Sequence, residues 1–359
     1  MFSDIYILFV LTQYKLGIVD KLYLISSIRE YVVTKGQIFI KLIQLLLVNQ
    51  YKWEDTFTKE EFDELNKILD QVHKNIDSSD FEIGCGSVAY VSFENINGNK
   101  NKNVVIKKLI PNINEDINNS FRRFKIMLNL ANFLNYDMID VDTTDNYYDF
   151  LKTQTNLNIE AANTIKANNF FESNKQINVP HIYEYSTDYI KMSYVEGMKL
   201  PLFFKIHPNF KREAVNLIII AIKKMLKNNF IHADLHDGNL LFILKNRKVH
   251  LNIIDFGLIL ELNDSDRDIF YNFIFDSFDN SLKSFESSVK FFYIVIESKI
   301  NYDKFYQLCS NNKNIFTRAE SFKVLRFLKE NKIKINLFYL NLILSLSSLR
   351  LKIHMDFNK

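Results

Sequence analysis

The strongest restriction on the fold is an ordered set of short motifs that ends in two polar turns. The first turn is His232-Ala233-Asp234-Leu235-His236-Asp237-Gly238-Asn239, and the second is Ile254-Asp255-Phe256-Gly257. Between them a short strand pair is predicted, Leu240–Leu244 and Val249–Ile254. An aspartate followed five residues later by an asparagine suits phosphoryl transfer. Asp234 would accept the proton of an attacking hydroxyl, and Asn239 would bind a magnesium ion. Asp255 follows a strand entry, Leu251 to Ile254, and is placed to hold the magnesium that bridges the β and γ phosphates. A competing reading makes His232, Asp234 and His236 a transition-metal site. That site needs further ligands, and the five other histidines do not cluster here.

Three motifs precede these turns. Gly84-Cys85-Gly86-Ser87 opens a GxGxxxxV loop that closes on Val91. Backbone N–H groups reach phosphate oxygens only where side chains are absent, which accounts for the two glycines. Lys107 ends Val104-Val105-Ile106-Lys107, a strand lysine suited to the α and β phosphates. Glu160, on a helix predicted over Leu157 to Phe171, could pair with Lys107 and orient it. Taken singly, each has a plain structural reading: a hairpin turn, an exposed strand-end lysine, a glutamate on a helix surface. Cys85 reads as a packed small side chain or as an accessible thiol beside the phosphates. In this order, glycine loop, strand lysine, helix glutamate, Asp-x4-Asn and Asp-Phe-Gly build one nucleotide phosphoryl-transfer site, using ATP and Mg2+. Such chemistry rests on positioning and charge neutralisation more than on covalent work by the protein.

Composition narrows the setting. The chain has eight glycines and four prolines in 359 residues, where average usage predicts about 25 and 18. Codon bias explains the scarcity, and it makes the glycines that remain more informative. A net charge of +3 with mixed signs gives no case for a nucleic-acid partner, and two cysteines give none for a disulfide-linked one. No apolar run reaches a membrane span. Leu337 to Leu349 reads as a buried helix, and no signal peptide is evident. The chain is therefore expected inside the cell, in the cytoplasm or peripheral at a membrane.

Residues 1–75 read as a helical extension, with Thr58 and Glu61 as a capping box. Residues 76–197 read as a first lobe of strands with inserted helices, and 198–359 as a mostly helical second lobe. Asn97-Gly98 signals a hairpin. Ile117 to Leu134 reads as an amphipathic helix, and Asp137 to Asp149 as a solvated loop. Strands are expected at Ile182 to Tyr185 and Ile190 to Tyr194, and helices at Glu213 to Asn228 and from about Asp266.

These motifs resemble the UbiB family of atypical, protein-kinase-like proteins (the aarF-domain kinases). His232 to Asn239 is similar to the family's HADPHPGN, differing at Leu235 and Asp237. VVIKKLIP from Val104 resembles VAVKVQRP, Glu160 to Asn163 resembles EAAN, and MSYVEG from Met192 resembles the hinge segment. Phe39 to Gln44 (FIKLIQ) resembles FIKLGQ, which carries the family's KxGQ signature. Lys41 and Gln44 match, and Ile43 replaces the glycine. The family's AAAS loop is Gly84-Cys85-Gly86-Ser87 here, with Ser87 retained.

The resemblance implies an α+β, bilobal protein-kinase-like fold with an N-terminal helical extension that packs over the active site. It also implies a nucleotide partner and a client in isoprenoid quinone or other lipid metabolism, at a membrane surface. Ala233 stands where many kinases have arginine, and no A-P-E segment follows Asp255; both argue against a peptide substrate. Two alternatives remain: a nucleotide-binding pseudokinase or lipid-sensing module, and a small-molecule phosphotransferase of the aminoglycoside or choline type.

Overall fold

A computed structural model describes residues 2–35, 40, 58–75, 83–86, 88–96, 99–133, 144–276, 281–296, 299–317, 321–333, 339 and 342–343. Lys41, Ile43, Gln44, Ser87 and the Asn97-Gly98 turn lie outside the described residues, as does most of Leu337 to Leu349. Within that last stretch Leu342 and Ile343 are helical and buried. The chain divides into two compact units, Met1–Leu157 with Ser186–Lys191, and Asn158–Tyr185 with Met192–Lys359.

The first unit begins with helices Phe2–Lys15, Lys21–Lys35 and Lys59–Asn75. The third starts as its sequence directs. The Thr58 N–H donates to Glu61 Oε2 at 2.8 Å, and the Glu61 N–H donates to Thr58 Oγ1 at 3.3 Å. This reciprocal pair satisfies two donors that the first helical turn leaves without partners. Replacing Thr58 with alanine removes the side-chain acceptor, and a loss of about 1 kcal/mol is expected in thermal denaturation. The helix is held against the second by Arg29 Nη1 to Glu64 Oε1 at 2.5 Å and Lys21 Nζ to Glu61 Oε2 at 3.2 Å.

Next comes a sheet in which strand Gly84–Cys85 pairs antiparallel with Ala89–Ile96, which pairs with Asn99–Leu109. Pairing of the last two extends to Ile96 opposite Asn99, the residues that flank the Asn97-Gly98 turn signal. Helix Ile113–Phe133 covers the expected amphipathic segment. Part of the expected acidic loop is instead helix Thr144–Thr153. Its register buries Leu151 and stacks Tyr148 on Phe121, ring centres 4.4 Å apart. Apolar packing there outweighs the turn preference of the Asp and Asn residues.

The second unit contains nearly all of helix Leu157–Phe171 and a four-stranded sheet. The order of that sheet is Ile177–Asn178, Lys248–Ile253, Leu240–Lys245, Met198–Lys199. The expected strand pair is thus Leu240–Lys245 against Lys248–Ile253, antiparallel, with Leu240 opposite Ile253. Leu240, Phe242, Val249, Leu251 and Ile253 are fully buried. Helix Lys211–Lys227 covers the expected apolar segment. Gly197 precedes the edge strand because a Cβ there would stand 2.9 Å from Leu241 Cβ.

The following helix spans Asp264–Phe275, two residues earlier than expected, because the Asn263 side chain accepts the Asp266 N–H at 2.9 Å. With Leu282–Val295, Tyr302–Ser310, Lys313–Thr317 and Ser321–Glu330 it builds an aromatic core. Phe273 stacks on Phe291 at 3.8 Å, Phe270 meets Phe291 edge-on at 5.1 Å, and Phe316 bridges Phe292 and Phe327. Cys309 lies in this core, and burial pushes its thiol up to about 12. It is a packing group with almost no thiolate at neutral pH.

Candidate active site

Each unit holds part of the predicted constellation. In the first unit, Gly84 pairs with Val91, and Val91 with Lys107. Directly opposed residues of antiparallel strands share a face. Gly84, Val91 and Lys107 therefore form one row across three strands, with Ala89 and Val105 flanking it on the same face. The Gly86 N–H donates to the Ala89 carbonyl at 2.8 Å and closes the loop tightly. The Cys85 backbone lies in the first of these strands, while its side chain is outside the described part. Among the described residues, an added Cβ at Gly84 would meet nothing within 4 Å.

In the second unit the structure brings Glu160, Asp234, Asn239 and Asp255 together. His232 is central to the arrangement. Its ring is 2% exposed, its Nδ1 accepts the Asp234 N–H at 3.3 Å, and its Nε2 faces the Ile254 carbonyl at 3.5 Å. The ring packs on Phe256, 5.3 Å between centres, and Phe256 continues to the buried Phe230. The Ala233 N–H donates to the Leu258 carbonyl, and the Ile254 N–H to the Asn239 carbonyl, both at 3.0 Å. A short bridge pairs Ile231–His232 with Ile259–Leu260. The two polar turns are therefore stitched to each other on both sides.

Burial lowers the pKa of His232 below its ordinary 6.5, with the Asp234 and Asp255 charges pulling the other way. The ring is neutral in the folded protein at neutral pH. The unfolded chain takes up the proton first, so this group's contribution falls as pH drops below about 6.5. A His232→Asn variant keeps an acceptor for the Asp234 N–H but cannot titrate. The wild type is expected to lose melting temperature relative to that variant between about pH 7 and pH 5. Parallel curves would show that His232 does not carry this dependence.

The remaining polar groups are equally specified. Asn239 is buried, and its Nδ2 donates to the Asp234 carbonyl at 2.8 Å, which commits the nitrogen end of the amide. The oxygen end is then the one able to face a cation. Asp255 is exposed and sits in a left-handed backbone conformation, φ 62°. Asp tolerates that region better than most residues, at a cost that sites of function commonly carry.

Glu160 is 6% exposed, which rules out the surface-glutamate reading. A Cβ on Gly257 would stand 3.2 Å from Asp255 Oδ1 and 3.4 Å from Glu160 Oε2. The two carboxylates thus converge on a residue that has no side chain. Such an anionic centre favours cations. Oxygen donors from Asn239 and Asp255, with phosphate oxygens and water, suit a hard divalent ion. Among the described residues no cluster of three or more His, Cys, Asp or Glu is arranged to hold a metal, so the transition-metal reading of His232, Asp234 and His236 gains no support.

Two contributors were missed by sequence reasoning. Asn163 Nδ2 donates to the Phe256 carbonyl at 3.0 Å, tying the Glu160 helix to the Asp255 turn. Its only signal was its place in Glu160-Ala161-Ala162-Asn163. Asn252, buried between strands, donates to the Glu196 carbonyl at 2.7 Å and accepts from Asn178 Nδ2 at 3.0 Å. Nothing in its local sequence marks it.

A family model described as the ABC1 atypical kinase-like domain matches residues 47–288. A probable protein kinase UbiB of Shewanella piezotolerans is 25% identical over 203 residues, covering 53% of this chain and 36% of the relative. The same-named protein of Shewanella denitrificans is 28% identical over 221 residues, covering 57% and 38%. That of Tolumonas auensis is 27% identical over 196 residues, covering 52% and 35%. The matched stretch thus spans little more than a third of these relatives. A solved structure of Rv3197 with erythromycin from Mycobacterium tuberculosis aligns at TM-score 0.46 and 14% identity, covering 86% of this chain and 87% of that one. Among the described residues, no helix is long and apolar enough to cross a membrane.

Proposed function

The chain belongs to the ABC1 (UbiB) family of atypical kinase-like proteins, and from that premise we propose that it binds Mg-ATP and hydrolyses it or transfers its γ-phosphoryl group to a non-peptide acceptor. The observation that supports this reading most is the double stitching of the Asp234–Asn239 turn to the Asp255 turn through His232 and Asn239. That stitching places a carboxylate, an amide oxygen and a second carboxylate in one small region.

In this reading the Gly84–Ser87 backbone cradles phosphates, and Lys107 holds the α and β phosphates. Glu160 is the proposed counter-charge that orients Lys107. Asn239 and Asp255 would hold magnesium, which would supply charge neutralisation for the phosphates. Asp234 orients the acceptor hydroxyl or water and takes its proton. The acceptor oxygen bonds to the γ-phosphorus as the bond to the β–γ bridging oxygen breaks, and ADP leaves with that electron pair. Lys41 and Gln44, the matches to the KxGQ signature, are proposed as site residues on the family resemblance alone. The client is proposed to be an isoprenoid quinone precursor or other lipid at a membrane surface, a reading that rests on the family.

The test is phosphate release from Mg-ATP by the purified chain, alone, with detergent, and with isoprenoid-like lipids or a phenolic quinone precursor. Turnover that requires magnesium and rises with lipid supports the proposal. Stabilisation by nucleotide without turnover would replace it with a binding module. Phosphorylation of a soluble alcohol would replace it with a small-molecule phosphotransferase.

A further inference from the structure

The His236 ring has two polar edges, and each faces a different part of the proposed machinery. Its Nδ1 accepts the Gly238 N–H at 2.9 Å. Its Nε2 stands 3.9 Å from Asp234 Oδ2. The ring lies so close over Gly238 that a Cβ there would be 2.6 Å from its Cε1 and 2.8 Å from its Nδ1. The backbone between is tightly wound: the His236 N–H donates to the Asp234 carbonyl, and the Asn239 N–H to the His236 carbonyl, both at 2.9 Å.

These contacts select one tautomer of the ring. An Nδ1 that accepts a backbone N–H carries no proton, so a neutral ring carries its proton on Nε2. That N–H is the edge turned toward the Asp234 carboxylate. At 3.9 Å it is beyond a direct hydrogen bond, and its effect there is electrostatic. The Nδ1 bond, for its part, closes the turn immediately before Asn239.

We propose that His236 is a positioning residue with two separable tasks: its Nδ1 clasps Gly238 and so sets the pose of Asn239, while its Nε2–H holds the Asp234 carboxylate in its working orientation. The inference rests on the proposed function, because the two tasks are defined by the roles given to Asn239 and Asp234. Gly238 acquires a specific reason in the same account: it is the residue over which this ring must lie.

The tasks can be separated by substitution, since an asparagine reproduces the position of Nδ1 and a glutamine that of Nε2. His236→Asn keeps the clasp and loses the edge toward Asp234. Its Mg-ATP affinity should stay within about twofold of wild type while kcat falls about tenfold. His236→Gln and Gly238→Ala lose the clasp. Both should weaken Mg-ATP binding about tenfold, with a smaller loss in kcat at saturation.

A second readout does not depend on turnover. In 15N-histidine spectra at one fixed pH, the resonance removed by His236→Asn should report a ring whose Nδ1 carries no proton, and Gly238→Ala should displace it. An Nδ1-protonated ring, or asparagine and glutamine variants with the same kinetic defect, would overturn the proposal. If the wild type neither binds nor turns over Mg-ATP, the proposed function fails, and the spectrum alone decides whether the clasp exists.

Discussion

Asp234→Asn is expected to lower Mg-ATP turnover by about 100- to 10,000-fold while leaving Mg-ATP affinity within about threefold of wild type. The separation follows from how the loop is built. Three hydrogen bonds at Asp234 are made by its backbone: its N–H donates to His232 Nδ1, and its carbonyl accepts from Asn239 Nδ2 and from the His236 N–H. Asparagine keeps all three and is nearly the same size. What it loses is the negative oxygen proposed to orient the acceptor and take its proton. The proposed magnesium donors, Asn239 and Asp255, remain in place. Measuring kcat and an independent nucleotide Kd on the same preparation checks this. Turnover within about threefold of wild type would remove Asp234 from the chemistry.

The second large effect concerns stability. Phe291 is fully buried, stacks on Phe273 at 3.8 Å, and meets Phe270 at 5.1 Å and Phe292 at 5.3 Å, both edge-on. Phe291→Ala removes an aromatic group from the middle of this cluster, and the neighbouring rings cannot collapse into the space without breaking their own contacts. The expected cost is about 3–5 kcal/mol, with a fall in melting temperature on the order of 10 °C. Phe291→Leu should lose less than half as much, since it leaves a smaller cavity. Circular dichroism melts of the three proteins compare them directly. An alanine variant melting within about 2 °C of wild type would show that the cluster is not a cooperative core.

Much of the scaffold could be read from local pattern. Helix Leu157–Phe171 has the bounds expected of it, and the strand pair on either side of Asn246 falls where apolar residues alternate. The capping box at Thr58 needed only a three-residue spacing. The row of Gly84, Val91 and Lys107 was implied by a glycine loop and a strand lysine, although cross-strand register became visible only in the fold.

What escaped detection depends on partners far away in sequence. Asn163 matters because it meets the carbonyl of Phe256, 93 residues on. Asn252 matters because it meets Glu196 and Asn178 from other segments. Neither has a local periodicity. The helix at Thr144–Thr153 was missed for the opposite reason: its Asp and Asn residues carry a strong local turn signal that burial of Leu151 and stacking of Tyr148 override.

The central claim is that the turns of Asn239 and Asp255 hold the cation of a nucleotide complex. Calorimetric titration of ATP into the wild type and into Asp255→Asn, each with and without magnesium, tests it most directly. The account predicts that magnesium strengthens ATP binding to the wild type at least about tenfold and leaves the variant nearly unaffected. Equal strengthening in both proteins, or none in the wild type, would contradict it.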